Sequence, residues 1–343
     1  MISVIITAYN RERFLLSAVK SVLNQSTDRS KYEIIVVKNF SNKEIDSFLA
    51  ANNVIQGLTG DVSIGEQLLT GLNLSKGSII SFLDDDDVFS KDKLLYIERY
   101  FDEDPEIVYC HNSYYSIDDD SNALSMELSS QVREGLYLKV SSDGRIELKP
   151  RPQVRLKEYE LLFNLSCVSV RREIMEDVKA FLPQLIDGTD HFAYYAGLRS
   201  QGKMFFSEKK LTGYRIHRST SNMFSSGESL DTIRELTGTL FGNPNHYSRL
   251  ILRMVRGTVL ESRIRCKLLE EKMVIRSQQR DDAPKATIED AFRYVLCGSR
   301  ELGRFSTYDA GKRLVFAMLV FLTGKYSGYL YNFYRRGSRL KRI

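Results

Sequence analysis

Cysteine is scarce in this chain of 343 residues: Cys110, Cys167, Cys266 and Cys297 lie far apart and form no CxxC pair. That excludes a disulfide-dense secreted scaffold, and the expectation is four reduced, mostly buried thiols in a cytosolic protein. Long apolar runs are missing too. Leu314–Leu322 has nine apolar residues, far short of the roughly 20 needed to cross a bilayer. The opening MISVIITAYN has no basic stretch and no cleavage site, and its apolar run breaks at Thr7, so it is expected to be a strand, not a signal peptide. No GxGxxG follows that strand, which argues against a dinucleotide-dependent dehydrogenase. Repeats and low-complexity tracts are absent. What remains is 43% hydrophobic and 27% charged, an ordinary core-forming composition that excludes collagen, a disordered tail or a multi-span membrane protein. The length suits one large domain or two ordinary ones.

Charge is unevenly spread. The net is +5, yet residues 241–343 hold 21 Lys and Arg against 9 Asp and Glu, a net of +12, which leaves 28 against 35 and a net of −7 in residues 1–240. An acidic body with a basic final third suggests two jobs in one chain.

The first hundred residues alternate between strand and helix patterns. SVIITAY, YEIIVVK and SIISFL read as buried strands, and helical periods run from Arg11 to Gln25, Lys43 to Ala51 and Ile64 to Leu74. This order predicts an α/β fold with a sheet flanked by helices. Ligands of such sheets bind beyond the carboxyl ends of the strands, where this chain carries Thr7-Ala8-Tyr9-Asn10, Lys38-Asn39 and Asp84 to Asp87. From about Cys110 the pattern changes to what reads as an insertion or covering layer, with a hairpin formed by Leu136–Val140 and Ile146–Leu148 around Ser142–Gly144. Helices are expected over 170–185 and 191–202, the second closed by Gly202, then strands over 203–217. A long basic helix is expected over 246–279, then a break at Pro284 and a helix capped by Thr287.

Four adjacent carboxylates repel one another unless water or a cation compensates. Hard divalent cations take such oxygens, commonly one or two carboxylates plus substrate phosphates. Asp84 and Asp86 share a face if the strand continues. A solvated acidic loop ahead of the helix near Lys91 is the competing reading.

The segments VIITAYNRERFLLSAVKSVLNQ, EIIVV and GSIISFLDDDDVFSKDKL resemble the nucleotide-sugar-binding half of the inverting glycosyltransferases of family 2, and the resemblance covers about residues 1–220. It implies a GT-A fold, a Rossmann-like mixed sheet flanked by helices, here with a C-terminal helical extension. Residues 1–110 would then bind the nucleotide sugar, 111–240 the acceptor, and 241–343 would form the basic helical region. It also implies a nucleoside-diphosphate sugar donor and Mg²⁺ or Mn²⁺. By position, Thr7, Ala8, Tyr9 and Arg11 fall on the nucleotide-contacting turn, Asp84 and Asp85 on the donor-binding part of the acidic motif, and Asp86 on the metal ligand. Asp190 falls on the catalytic base, with a helix-terminal carboxylate favoured by the dipole as its competing reading. Tyr214-Arg215-Ile216-His217 matches a later motif, which makes His217 a second candidate metal ligand or a satisfied structural histidine. For His191 a structural role is expected. The family's Asp-Asp-Gly-Ser at the end of the second strand is replaced by Lys38-Asn39-Phe40-Ser41. Asn39 is therefore the candidate reader of the base, with Lys38 an alternative partner for phosphate, and uridine specificity does not carry over.

In the tail, Leu314–Leu322 precedes Tyr326, Tyr329, Tyr331 and Tyr334 and a basic end. This suits a helix lying in an anionic membrane surface through 313–343, or a helical pair packed on the body or on a second copy. A membrane role would make the acceptor a saccharide on a polyprenyl carrier, at the cytoplasmic face. A homodimer through 246–279 is a candidate, and no motif supports nucleic-acid binding. The within-class rival is a polyprenyl-phosphate glycosyl synthase, and the rival of another class is a non-catalytic nucleotide-sugar or glycan-binding scaffold.

Overall fold

The computed structural model describes residues 1–60, 62–124, 135–141, 146–149, 161, 163–217, 246–277, 286–297 and 307–322. The described residues up to 217 form one compact unit and those from 246 a second.

The first unit is a sheet in the order β3-β2-β1-β4-β9-β6-β10-β7-β8. Strands β1 (Ile2–Ala8), β2 (Tyr32–Lys38), β3 (Ile55–Leu58) and β4 (Ile79–Asp84) are mutually parallel. The first of these, ISVIITA, is buried throughout, as a strand covered on both faces must be. Helices α1 (Leu15–Leu23), α2 (Lys43–Ala51) and α3 (Ile64–Leu74) connect them. Asn42 caps α2 by accepting from the Glu44 and Ile45 N–H groups at 3.0 and 3.2 Å, and Ser63 caps α3 by accepting from Glu66 N–H at 3.2 Å. Val19, Val22, Ile34, Val36, Leu49 and Leu83 share one core. The register sets Thr7 beside Asp84 and Ala8 beside Lys38, so the polar strand ends finish level.

Beyond β4, strand β9 (Val168–Arg171) runs antiparallel to both β4 and β6 (Ile107–Ile117), while β10 (Lys203–Arg215) lies parallel to β6. Short β5 (Val88–Phe89) pairs with β10 at Gly213 and Thr212. That pairing stitches the residues after the aspartates to the strand carrying Tyr214 and Arg215. The expected hairpin is present as antiparallel β7 (Leu136–Val140) and β8 (Ile146–Lys149), its turn lying outside the described residues. Helix α4 (Lys93–Glu103) leads from the acidic segment, and α5 (Arg172–Val178) and α6 (Thr189–Arg199) complete the unit.

Several expectations are corrected. The segment after Cys110 is no covering layer: β6, β9 and β10 extend the same sheet, and the expected division at 110 falls inside β6. Strand β6 was hidden because Asn112, Ser113 and Ser116 are polar yet buried. The first helix begins at Leu15, not Arg11, because Arg11 turns back onto the aspartates. The helix expected over 170–185 shortens to α5 and a 3₁₀ segment, Lys179–Gln184. The turn after α6 uses Gln201 at φ 59° rather than Gly202.

Gly65 in α3 answers to a close approach. Its N–H donates to Leu185 O at 2.9 Å, and a Cβ there would sit 1.9 Å from Leu182 O. Gly65→Ala is expected to cost about 1–3 kcal/mol as an overpacking strain, read as a lower urea midpoint with an unchanged m-value.

The second unit contains α7 (His246–Met254), α8 (Glu261–Ser277), α9 (Ile288–Cys297) and α10 (Thr307–Leu322). The single helix expected over 246–279 is broken: Gly257 takes φ 77° between α7 and α8. Thr287 does cap α9, accepting from Asp290 N–H at 3.1 Å while Asp290 accepts from Thr287 N–H at 3.0 Å. Met273, Ala291, Tyr294, Phe316 and Val320 form its core. The expectation of four free thiols is also corrected, because Cys266 and Cys297 form a disulfide between α8 and α9. Cys110 and Cys167 are free and buried. No helix among the described residues is long and apolar enough to cross a membrane; Pro284 and residues 323–343 lie outside the described residues.

Candidate active site

A cleft of about 230 Å³ opens at the carboxyl ends of β1 and β4, lined by Thr7, Tyr9, Arg11, Ile64, Asp84 to Asp87 and Tyr214. Strand geometry explains the gathering. Thr7 and Asp84 are register partners, and the antiparallel β5–β10 pair returns Tyr214 to the same place.

Each aspartate has a different partner. Arg11 grips Asp85 with two hydrogen bonds, from Nε to Oδ2 at 2.9 Å and from Nη2 to Oδ1 at 2.5 Å. Its Nη1 reaches Asp86 Oδ2 at 2.8 Å. His217 Nε2 lies 2.9 Å from that same Asp86 oxygen, and its ring stacks on Phe14 with centroids 5.1 Å apart. Asp87 is buried and accepts from Asn164 Nδ2 at 2.7 Å and from Arg215 N–H at 3.0 Å. The Asp84 N–H donates to Ser166 Oγ at 3.0 Å.

Electrostatics follow from this crowding. Burial and the neighbouring carboxylates push Asp84 well above the usual carboxylate range. Asp85 is pushed by burial to about 6, with Arg11 opposing the rise. Burial and the charge of Asp86 also push Asp87 up, against the Asn164 and Arg215 hydrogen bonds. Only Asp86 ends below its ordinary value: burial raises it, but His217 and Arg11 outweigh that. Burial would lower the Arg11 pKa, yet Asp85 and Asp86 hold it above its ordinary value. The raised values of Asp84, Asp85 and Asp87 are the response of crowded, buried carboxylates whose nearby guanidiniums are those of Arg11 and Arg215.

Asp190 lies in the first turn of α6, behind Gly188 at φ 67°. Its Oδ1 accepts from His191 N–H at 2.8 Å and sits 3.0 Å from His191 Nδ1. Burial pushes the carboxyl up, but His191 and the Asn164 backbone N–H bring it below the ordinary value. His191 is thus Asp190's immediate partner.

Some expected residues stand apart from the cleft lining. Ala8 is buried in the core. Asn39 exchanges hydrogen bonds with Asn10, donating from Nδ2 to Asn10 Oδ1 at 2.9 Å and accepting from Asn10 N–H at 2.8 Å. Lys38 is 3% exposed and engaged by Asp46 at 2.8 Å and Phe40 O at 2.8 Å, so its alternative role toward phosphate is not what this geometry offers. Asn164, Ser166 and Ile64 went unnoticed in the sequence. The first two lie beyond a strand that was itself missed, and Asn164 takes φ 71°, a value only a structure reveals. Among the described residues no cluster of three or more His, Cys, Asp or Glu forms a complete metal cage.

Residues 3–178 match the family model described as Glycosyl transferase family 2. An uncharacterized glycosyltransferase of Rickettsia bellii is 30% identical over 146 residues, 40% of this chain and 20% of that protein. Glycosyltransferase AglE of Haloferax volcanii is 36% identical over 91 residues, 25% of this chain and 30% of that protein. The match spans about a fifth of the length of the Rickettsia bellii protein and under a third of AglE. The crystal structure of S. aureus TarS 1-349 in complex with UDP-GlcNAc superposes with a TM-score of 0.57 at 16% identity, over 100% of this chain and 92% of that one. A longer S. aureus TarS structure gives 0.53 at 15% identity, over 95% and 52%. At such identities the likeness is one of fold, the GT-A sheet flanked by helices.

Proposed function

The chain belongs to glycosyl transferase family 2, and from that premise we propose that it moves a sugar from a nucleoside-diphosphate donor to an acceptor hydroxyl, with inversion and with help from a divalent cation. The observation that carries this reading is the convergence of Asp84 to Asp87, Arg11, Tyr9 and Tyr214 on one cleft at the strand ends.

Asp86 would hold the cation alongside phosphate oxygens of the donor, as Mg²⁺ or Mn²⁺ prefers, and His217, 2.9 Å from the same carboxylate oxygen, is the second candidate ligand. When bound, the cation neutralises charge developing on the leaving diphosphate. Arg11, the internal counter-ion of Asp85 and Asp86, lines the same cleft and offers its guanidinium to the diphosphate. Thr7 and Tyr9 frame the nucleotide, Asn39 keeps for the base the N–H and lone pair that its exchange with Asn10 leaves open, and Ala8, whose side chain is buried in the core, offers backbone only. Asp84 and Asp85 orient the donor. Asp190, kept ionised and steered by His191, accepts the proton of the attacking hydroxyl. Attack from the face opposite the diphosphate inverts the anomeric centre, and the gain comes mainly from positioning. UDP and UDP-GlcNAc, bound by the TarS structures, are the first nucleotides to test, with guanosine diphosphate sugars beside them, since Lys38-Asn39 replaces the family's usual carboxylates.

The acceptor is proposed to be a glycan on a polyprenyl carrier, met at the cytoplasmic face. Leu314, Val315 and Met318 are exposed on α10, and residues 241–343 carry the net of +12. Each basic residue near an anionic surface contributes about 1 kcal/mol. The full chain is expected to float with vesicles of phosphatidylglycerol and phosphatidylcholine at low salt, and a chain ending at residue 306 to stay in the soluble fraction. Equal flotation of both, or of neither, contradicts the membrane role. A concentration-dependent dimer in sedimentation, lost on the same truncation, instead assigns these helices to a second copy.

The test of the function is turnover: release of nucleoside diphosphate from UDP-GlcNAc, UDP-glucose or GDP-mannose with Mn²⁺. Tight nucleotide binding without turnover under any cation supports the non-catalytic scaffold instead.

A further inference from the structure

We infer that Asn164 is a positioning residue of the transfer reaction, tying the candidate base Asp190 to the acidic cluster; the inference rests on Asp190 acting as the base.

Asn164 is 7% exposed and takes φ 71° with ψ 113°. A non-glycine residue in that region is strained and persists only where its surroundings over-determine it. Here every polar group of the residue is engaged. Its Nδ2 donates to Asp87 Oδ2 at 2.7 Å, and its Oδ1 accepts from Ser166 N–H at 2.8 Å. Its carbonyl accepts from Cys167 N–H at 3.0 Å. Its own N–H faces the Asp190 carboxylate and helps hold that carboxyl below its ordinary value. One residue therefore holds the last aspartate of the cluster with its side chain and the candidate base with its backbone. The unusual φ is what allows these two donors to serve two carboxylates on different elements.

The neighbours make the turn rigid. Ser166 Oγ accepts from Asp84 N–H at 3.0 Å. Lys93, fully buried, donates to Ser166 O and, at 3.0 Å, to Thr212 Oγ1. On the other side His111 Nε2 meets Phe163 O at 2.8 Å, and burial lowers His111 to about 4, which keeps the ring neutral with Nε2–H as the donor. Residues 163–166 thus act as a bracket between the cluster that orients the donor and the carboxylate that deprotonates the acceptor. A misplacement of about 1 Å between such groups costs on the order of 10²-fold in rate.

Two variants separate the roles. Asn164→Gly keeps the N–H and tolerates the positive φ but loses both side-chain bonds. Asn164→Asp keeps the shape and the Ser166 contact but replaces the donor to Asp87 with an acceptor. Whichever of UDP-GlcNAc, UDP-glucose or GDP-mannose the wild type turns over with Mn²⁺ is carried through the series. Both variants are expected to lower kcat about 10–100-fold with the donor KM within about twofold. The same substitutions placed on Asp190→Asn are expected to add less than about threefold, because residues acting through one group are not additive. Thermal midpoints establish that the compared variants are folded, and if Asn164→Gly is not, Asn164→Asp carries the test. Unchanged kcat, a loss confined to KM, or an equal loss on the Asp190→Asn background overturns the inference while leaving the base assignment intact. Wild-type kcat in Asp190→Asn itself overturns the base assignment and the inference together.

Discussion

Asp86→Ala is expected to lower kcat/KM by about 10²–10³-fold with little change in stability. The two halves of that expectation have one cause. Asp86 Oδ2 is the atom on which Arg11 and His217 converge, at 2.8 and 2.9 Å, so removing it dismantles the site at which a cation would meet the diphosphate. Its charge also raises Asp84 and Asp87. Deleting it relieves like-charge repulsion within a buried cluster but also takes from Arg11 and His217 the partner that they hold below its ordinary value, and because the two effects oppose each other the melting temperature should change little. Initial rates with Mn²⁺ and a thermal melt check both. EDTA should bring the wild type down to the level of Asp86→Ala and leave the variant unaffected. Activity within about threefold of wild type, or a variant still sensitive to EDTA, contradicts the role given to Asp86.

Asp190→Asn is expected to lower kcat about 10²–10⁴-fold, the range attributed to a positioned general base, with donor affinity unchanged. The carboxylate is isosteric with the amide and its backbone donors, His191 and Asn164, remain, so the fold should tolerate the change. Single-turnover rates and nucleotide titrations separate chemistry from binding. The result also divides two acceptors. A hydroxyl must lose its proton as it attacks, whereas a polyprenyl phosphate is already ionised and needs no base. A loss below about threefold therefore favours the phosphate acceptor.

The parts of the fold legible in the sequence were those whose burial is uniform. YEIIVVK and SIISFL announce themselves because a strand covered on both faces leaves few polar positions, and α2 and α3 carry side-chain caps at Asn42 and Ser63. The acidic segment was visible because four consecutive carboxylates at a strand end have few structural uses. Strands β6 and β9 were not legible. Their buried polar residues are satisfied by distant partners, Ser81 Oγ with Ser169 Oγ at 2.7 Å and Ser113 Oγ with Ser207 O at 3.1 Å, and such pairings leave no local signal. The break at Gly257 was hidden for another reason: the apolar spacing continues through it, and a single glycine inside a helical period does not declare itself a turn. Similarly, nothing local distinguishes Cys266 and Cys297 from two buried thiols, since their pairing is a product of how α8 and α9 pack. Within the site, the partners of Asp87 come from residues 164 and 215, separations across which sequence periodicity carries no information.

The most direct test of the account is thermal stability with nucleoside diphosphates, in Mg²⁺ or Mn²⁺ and in EDTA, on the wild type and on Asp86→Ala. A ligand at 100 times its dissociation constant adds about 2.7 kcal/mol, a readily measured rise in melting temperature. The account predicts that one nucleotide stabilises the wild type only with the cation, and that Asp86→Ala loses the effect. If no nucleotide shifts the wild type, or if the shift survives both EDTA and Asp86→Ala, then the four aspartates are a structural cluster held by Arg11, Asn164 and Arg215 and not a metal-dependent donor site.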